Sequence, residues 1–311
     1  MQSTSQNHQT PGPDRDYFML DEGPRLELLY YDMIKYLSKE PNNKVILAKC
    51  VLDQKLVAIK VFPKIRNRVN KSIEIKLRKE IDLLTWKDSI RIPSQTFSVK
   101  YLGVIPGYLD TALVFEFIGG ITLLEAVRDR RGFPPNVTKF YICELISALR
   151  HLHLHSISFN NLDCKHVMLE SNGHLKLINF SNAKAIEFQV NHWKKYTTLI
   201  GDLTPNPYSK DWVSLNRILH SMLEPDFISK PGGQECLDFI RFLNFHLETN
   251  KELTFEDIIN HPWFNGINWE HIKQCKYAPP FLINQQKLSQ IISPVPESQI
   301  PIITEIGLLE L

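Results

Sequence analysis

The side chains able to do chemistry are spread thinly along this sequence. His151, His153 and His155 alternate, a spacing that invites a metal site, yet no carboxylate or cysteine cluster beside them completes a ligand set. The five cysteines (Cys50, Cys143, Cys164, Cys236 and Cys275) are odd in number and form no C-x-x-C pair. Their spacing implies neither a zinc site nor a disulfide framework, and it fits a reducing compartment. The run Lys60 to Lys79 holds Lys60, Lys64, Arg66, Arg68, Lys71, Lys76, Arg78 and Lys79 against one acid, Glu74. That stretch is either a docking patch for an acidic or phosphorylated protein partner or a solvated helix face. Ser293-Pro294 could take a phosphoryl group.

The elements that must position these groups follow from the apolar pattern. The 311 residues are 43% hydrophobic and 23% charged, enough for one large domain or two lobes sharing an interface. The formal charge of +2 calls for neither nucleic acid nor a membrane surface. No apolar run approaches the ~18 residues a membrane helix needs, and Met1 to Asp16 lacks the apolar stretch of a signal peptide. A soluble protein of the cytoplasm or nucleus is expected. Residues 1–25 are polar, aperiodic and expected to be disordered.

Lys44 to Lys49 and Leu56 to Phe62 read as a hairpin turning at Asp53-Gln54. Ser72 to Trp86 has Ile73, Leu77, Ile81 and Leu84 at helical spacing. Phe97 to Val104 and Ala112 to Ile118 read as strands. After Gly119-Gly120 the texture turns helical: Thr122 to Arg130, then Asn136 to His155 with Tyr141, Leu145, Leu149 and Leu152 on one face. Short strands at Val167–Leu169 and Leu175–Ile178 flank a turn at Asn172-Gly173. Helices are expected at Asp211 to Leu223, Gln234 to Leu247 and Thr254 to Asn260. The last 30 residues show no clear period.

This order of a strand lobe, a Gly-Gly hinge and a helical lobe resembles a protein kinase. Val57-Ala-Ile-Lys60 resembles the lysine strand of that family, with Glu80 where the partner glutamate of the next helix should stand. Thr138 to His153 resembles the helix before the catalytic loop. Asn172 to Phe180 resembles the hairpin entering the DFG motif, Asp211 to Leu215 the start of the buried central helix, and His261-Pro-Trp-Phe264 the domain end. Gly266 to Phe281 is similar to the tail of the AGC serine/threonine kinases. The resemblance implies an α+β, bilobal fold. Its parts are a β-rich N-lobe with one main helix at 26–118, a helical C-lobe at 119–264, a reduced activation segment and an AGC-like tail at 265–311.

The same resemblance implies a nucleotide cleft at Lys60, Glu80, Val45, Ala58, Met168, Glu116 and Ile118, with Phe115 as gatekeeper. A packing column is implied through Leu84, Tyr101, Phe159 and Phe180. The polar chemistry departs from the family. The three glycine-loop positions hold Ser38, Glu40 and Asn43. Phe159 to His166 replaces the catalytic loop, with Asn161 for the hydroxyl-orienting aspartate, Asp163 for the loop lysine and His166 for the metal-binding asparagine. Asn179-Phe-Ser181 replaces DFG. Sliding the loop by two residues would make Asp163 the catalytic carboxylate, but it would carry Val167–Leu169 out of its strand. No A-P-E motif lies between Gly201 and Asp211, and Glu252 stands where its arginine partner is expected.

The expectation from these departures is a pseudokinase without catalytic residues and not an enzyme. It would act as a scaffold or allosteric regulator of a protein partner, such as another kinase, through the 72–86 helix face and the basic stretch 60–79. ATP is a conceivable ligand, no cofactor is required and magnesium is not expected. The alternatives are a weak or atypical serine/threonine kinase using ATP, which could employ Asp163, and a non-catalytic nucleotide sensor.

Overall fold

Alternation along Leu56–Pro63 places Val57, Ile59 and Val61 on one face of a strand and Ala58, Lys60 and Phe62 on the other. This period organises the first half of the molecule. The computed structural model describes residues 25–40, 43–63, 77, 80–81, 97–107, 110–186, 206–249, 251 and 253–301. Strands β1 (Tyr31–Glu40), β2 (Asn43–Cys50), β3 (Leu56–Pro63), β4 (Tyr101–Pro106) and β5 (Asp110–Glu116) form one antiparallel sheet in the order β1-β2-β3-β5-β4. The 44–62 hairpin stands as expected, and Gln54 takes the left-handed backbone its turn needs, at φ 61.

Register then sorts the faces. Val45 lies opposite Lys60 and Leu47 opposite Ala58, which puts these four side chains on the face toward the helical half. Ile46, Ala48, Val57, Ile59, Val61, Ala112 and Val114 cover the other face, closed by Leu28 and Tyr31. Strand β1 is not legible as a strand in the sequence, because two irregularities in its pairing, between Met33 and Lys35 and between Tyr36 and Ser38, break the period of two. The expected strand at Phe97 to Val104 begins later, at Tyr101; Phe97 to Val99 joins the larger half instead through a Ser98–Leu177 bridge.

After β6 (Gly120–Thr122) comes α1 (Leu123–Arg130), opened by a capping box in which Thr122 and Glu125 satisfy each other's backbone N–H. Helix α2 (Pro135–Leu154) buries the predicted face, Tyr141, Leu145, Leu149 and Leu152, completely or nearly so. Each such side chain contributes roughly 1.5–3 kcal/mol of burial. Strand β7 (Ile157–Ser158) leads to the loop that enters β8 (Val167–Glu170) and β9 (Leu175–Leu177), turning at Gly173 with φ 85. β6 pairs with β8, and β10 (Lys184–Ala185) with β7. Helices α3 (Ser209–Met222), α4 (Gly233–Glu248), α5 (Phe255–Ile259) and α6 (Trp269–Lys273) complete the helical half. Trp212 and Trp263 are buried in it, Trp263 stacked on Phe239 at 5.2 Å.

The last 30 residues, which show no clear period in the sequence, nonetheless contain a helix. Helix α7 (Gln285–Ile292) starts at Asn284, whose side chain caps Gln286 N–H. Leu288 and Ile291 pack against the core. Lys35 of β1 donates to Gln290 O at 2.9 Å and Ser293 O at 3.1 Å, so this segment touches both halves. Phe281 packs on Phe133, Tyr141 and the Arg130 guanidinium. Of the expected 72–86 helix, Leu77, Glu80 and Ile81 are described and helical. Residues 1–24, most of the basic stretch after Lys60, Leu84, the segment 187–205, Asn250, Glu252, residues 302–311 and the side chains of Glu40 and Asn43 lie outside the described residues. No helix among the described residues is long and apolar enough to cross a membrane.

Candidate functional site

The site lies where the lobe-facing side of the sheet meets the 159–181 segment. At its centre is the Lys60 ammonium, 6% exposed. It donates to both oxygens of Glu80, at 2.9 and 2.8 Å, and Glu80 is fully buried. It also reaches Asn179 Oδ1 at 2.9 Å and Ser181 Oγ at 2.7 Å. Three N–H donors are therefore shared among acceptors from both halves of the molecule. The Ser181 hydroxyl in turn lies 2.8 Å from Glu80 Oε2 and from Asn179 Oδ1. A buried ion pair of this kind is held by the additional hydrogen bonds that surround it.

Asn179 sits in left-handed backbone, φ 64, at the start of a short 3-10 turn, Phe180–Asn182. Its orientation is fixed by opposite demands. Oδ1 accepts from Lys60, so Nδ2 points the other way and donates to His166 Nε2 at 3.0 Å. His166 Nδ1 donates to Asn161 O at 2.8 Å. One ring nitrogen gives and the other accepts, which is the neutral imidazole. Burial, the largest influence, holds the His166 pKa below its usual value.

The loop itself is anchored from below by Asp211 in α3, which is fully buried. Its Oδ2 accepts from His153 Nε2, Ser158 Oγ and Phe159 N–H, and its Oδ1 from Asn160 N–H at 2.6 Å. Asn160 is thereby held at φ 61. Beyond it, Asp163 caps the short turn Cys164–His166, its Oδ1 accepting from Lys165 N–H at 3.0 Å, while the residue stays exposed. Strand β8 begins at Val167, so the loop keeps the register that leaves Val167–Leu169 in a strand, and the two-residue slide is not adopted.

The structure brings Val45, Ala58, Lys60 and Glu80 together with Asn179 and His166, and packs Ala58 and Met168 against the main core. Ile118 is buried at the junction of the halves. Glu116 turns its carboxylate aside to Lys176 Nζ at 2.6 Å and Lys100 N–H at 2.9 Å. Phe115 lies 5.8 Å from Tyr101, and Phe159 meets Phe180 edge to face at 5.1 Å. The three alternating histidines diverge: His153 faces Asp211 and stacks on Tyr208, while His151 and His155 face each other. The roles of two residues escape sequence reasoning. Ser181 is placed only as the last residue of the DFG-like stretch, and nothing in its type announces a bond to Lys60. Asp211 does leave a signal, as the lone acid of its helix.

A family model described as the protein kinase domain matches residues 41–206. The chain is 28% identical over 241 residues to cAMP-dependent protein kinase type 3 of Saccharomyces cerevisiae, covering 65% of this chain and 58% of that one. It is 26% identical over 242 residues to the human cAMP-dependent protein kinase catalytic subunit PRKX, covering 67% and 66%. It is 28% identical over 288 residues to serine/threonine-protein kinase Sgk3 of Rattus norvegicus, covering 81% and 55%. The chain thus spans less than two thirds of the length of these relatives. Both AGC-type groups agree with the similarity drawn from the tail. The expectation that the chain is not an enzyme is corrected: the matching domain and its relatives carry the names of protein kinases.

Proposed function

Because the chain belongs to the protein kinase domain family, we propose that it works as an atypical serine/threonine protein kinase, moving the γ-phosphoryl group of ATP onto a hydroxyl of a protein. The observation that carries this is the Lys60 ammonium, buried and tied to Glu80 on one side and to Asn179 and Ser181 on the other. An ammonium so placed can exchange its two neutral acceptors for phosphate oxygens while Glu80 keeps it aimed.

Charge supports nucleotide entry. Lys60 and Glu80 sum to zero, and asparagines at 161 and 179 add nothing. Carboxylates at both positions would repel a polyphosphate unless a cation stood between them. Magnesium takes oxygen donors in a near-octahedral array. The described side chains nearest the cleft centre offer the Glu80 oxygens, Asn179 Oδ1 and Ser181 Oγ, all already engaged by Lys60, and His166 Nε2, which accepts from Asn179. With its oxygens committed to Lys60 and a nitrogen beside them, that set does not fit magnesium, and the proposed transfer relies on Lys60 alone for charge.

In the step itself the substrate oxygen bonds to the γ-phosphorus, the bond to the β-phosphate oxygen breaks, and ADP leaves. The hydroxyl proton passes to a carboxylate. We assign that role to Asp163 from its place on the same loop, without any change of register: its Oδ1 accepts from Lys165 N–H, and among the described residues its Oδ2 has no partner and can orient a hydroxyl. Positioned acid–base groups contribute about 10²–10⁴-fold. With a displaced carboxylate and no metal, turnover is expected about 10²–10⁴-fold below the ~1–100 s⁻¹ usual for kinases.

The test is label transfer from γ-labelled ATP to mixed protein acceptors in magnesium, manganese or EDTA. Transfer in all three media is expected, lost in Lys60→Met and lowered about 10²-fold in Asp163→Asn. Incorporation no greater than that of Lys60→Met in every medium would overturn the proposal.

A further inference from the structure

Away from the cleft, three segments far apart in sequence bring metal-ligating side chains together: Glu144 of α2, His174 of the β8–β9 turn and Cys275 just after α6. One carboxylate oxygen, one imidazole nitrogen and the thiol sulfur all lie within 4.8 Å of one another. Glu144 is 1% exposed; its Oε1 is 2.5 Å from His174 Nδ1 and its Oε2 accepts from Leu175 N–H at 3.0 Å.

The convergence separates two chemistries. A proton relay uses opposite nitrogens of the ring, which would hold sulfur and carboxylate about 7 Å apart. Here the three ligand atoms lie within 4.8 Å of one another, close enough for one ion to reach all three after a small adjustment. Sulfur, nitrogen and oxygen in one set suit zinc, whereas magnesium and calcium take oxygen alone. A thiolate and a carboxylate also balance a dication, with the imidazole neutral.

We propose that Glu144, His174 and Cys275 bind Zn²⁺ in a tetrahedral site, with water in the fourth position, clamping the C-terminal segment to the helical half. Zinc–ligand bonds of about 2.0–2.3 Å set the ligand atoms about 3.3–3.7 Å apart. The Glu144–His174 contact therefore opens by about 1 Å as the ion replaces the shared proton. Leu175 N–H on Oε2 orients the carboxylate, as outer partners of metal ligands do. The clamp sits in a built contact: a Cβ on Gly173 would stand 2.5 Å from Phe281 O and 2.7 Å from the Pro279 ring.

The experiment uses the full, untagged chain, stripped with a chelator and titrated with Zn²⁺ against a colorimetric competitor, then with Co²⁺ as an optical probe. Burial raises the thiol pKa of Cys143, Cys164 and Cys236. That leaves Cys50 as the partly exposed control. One equivalent of zinc is expected, with a thiolate-to-cobalt charge-transfer band and a raised melting temperature. Cys275→Ser and His174→Asn each weaken binding more than about 100-fold, and Cys50→Ser changes nothing. Cys275→Ser alters a partly exposed residue, so the chain is expected to fold, as a change at buried Glu144 would not ensure. Less than one equivalent bound, zinc retained by folded Cys275→Ser, or equal loss in Cys50→Ser would overturn the site.

Discussion

Replacing Asp211 by asparagine tests whether this one buried carboxylate holds the 158–160 loop in place. Its oxygens accept four hydrogen bonds, three on Oδ2 and one on Oδ1. An asparagine retains most if its oxygen takes the Oδ2 position. Its NH₂ then confronts Asn160 N–H, donor against donor, where a 2.6 Å bond stood. That lost bond to a charged acceptor is worth about 1.5–3 kcal/mol. The three that survive fall from charge-assisted to neutral, roughly halving each. The total is about 4–7 kcal/mol, a drop in melting temperature of at least roughly 8–16 °C for a chain of this size. Urea unfolding and differential scanning fluorimetry read it directly, with the denaturant slope unchanged. A loss below about 1 kcal/mol would refute the reasoning, since the loop would then be held by its other contacts, such as the β7–β10 pairing and the His166–Asn161 bond.

Three other perturbations follow from the same geometry. Lys60→Met leaves Glu80 as an unpaired buried carboxylate and is expected to cost about 3–5 kcal/mol in urea unfolding, with much of it recovered when Glu80→Gln is added. His166 has its pKa depressed by burial, so its contribution is present above the unfolded value near 6.5 and lost as pH falls through the lower folded value. Melting temperature should therefore fall between pH 6.5 and 5, and less steeply in His166→Asn. Gly120→Ala would bring a Cβ to 1.9 Å from Leu169 O across the β6–β8 pair. A loss of about 1–3 kcal/mol by urea unfolding is expected, and a neutral result would mean that this pair shifts freely.

Much of this architecture was legible before the structure, for physical reasons that differ by element. Leu56–Pro63 alternates cleanly because one face meets a dry core and the other the lobe interface, and α2 keeps its period because its buried stripe runs unbroken. Strand β1 was not legible, since bulges move its side chains off the alternating pattern. Helix α7 makes about two turns and buries its apolar side chains only partly, too little for a period to emerge. In the site, Lys60 and Glu80 were readable from their motif. The roles of Ser181 and Asp211 depend on contacts between segments that no spacing encodes. The Glu144–His174–Cys275 cluster is the extreme case, with its three members separated by 30 and 101 positions. Local spacing argued against a zinc site, and only the fold assembles one.

The most direct test of the central claim is recovery of labelled phosphoserine or phosphothreonine from protein acceptor incubated with γ-labelled ATP and this chain, compared with Lys60→Arg and Asp163→Asn. Label in the hydroxyl amino acids with wild type, reduced in both variants, is the predicted result. Label absent from serine and threonine, or present equally with all three proteins, would contradict it.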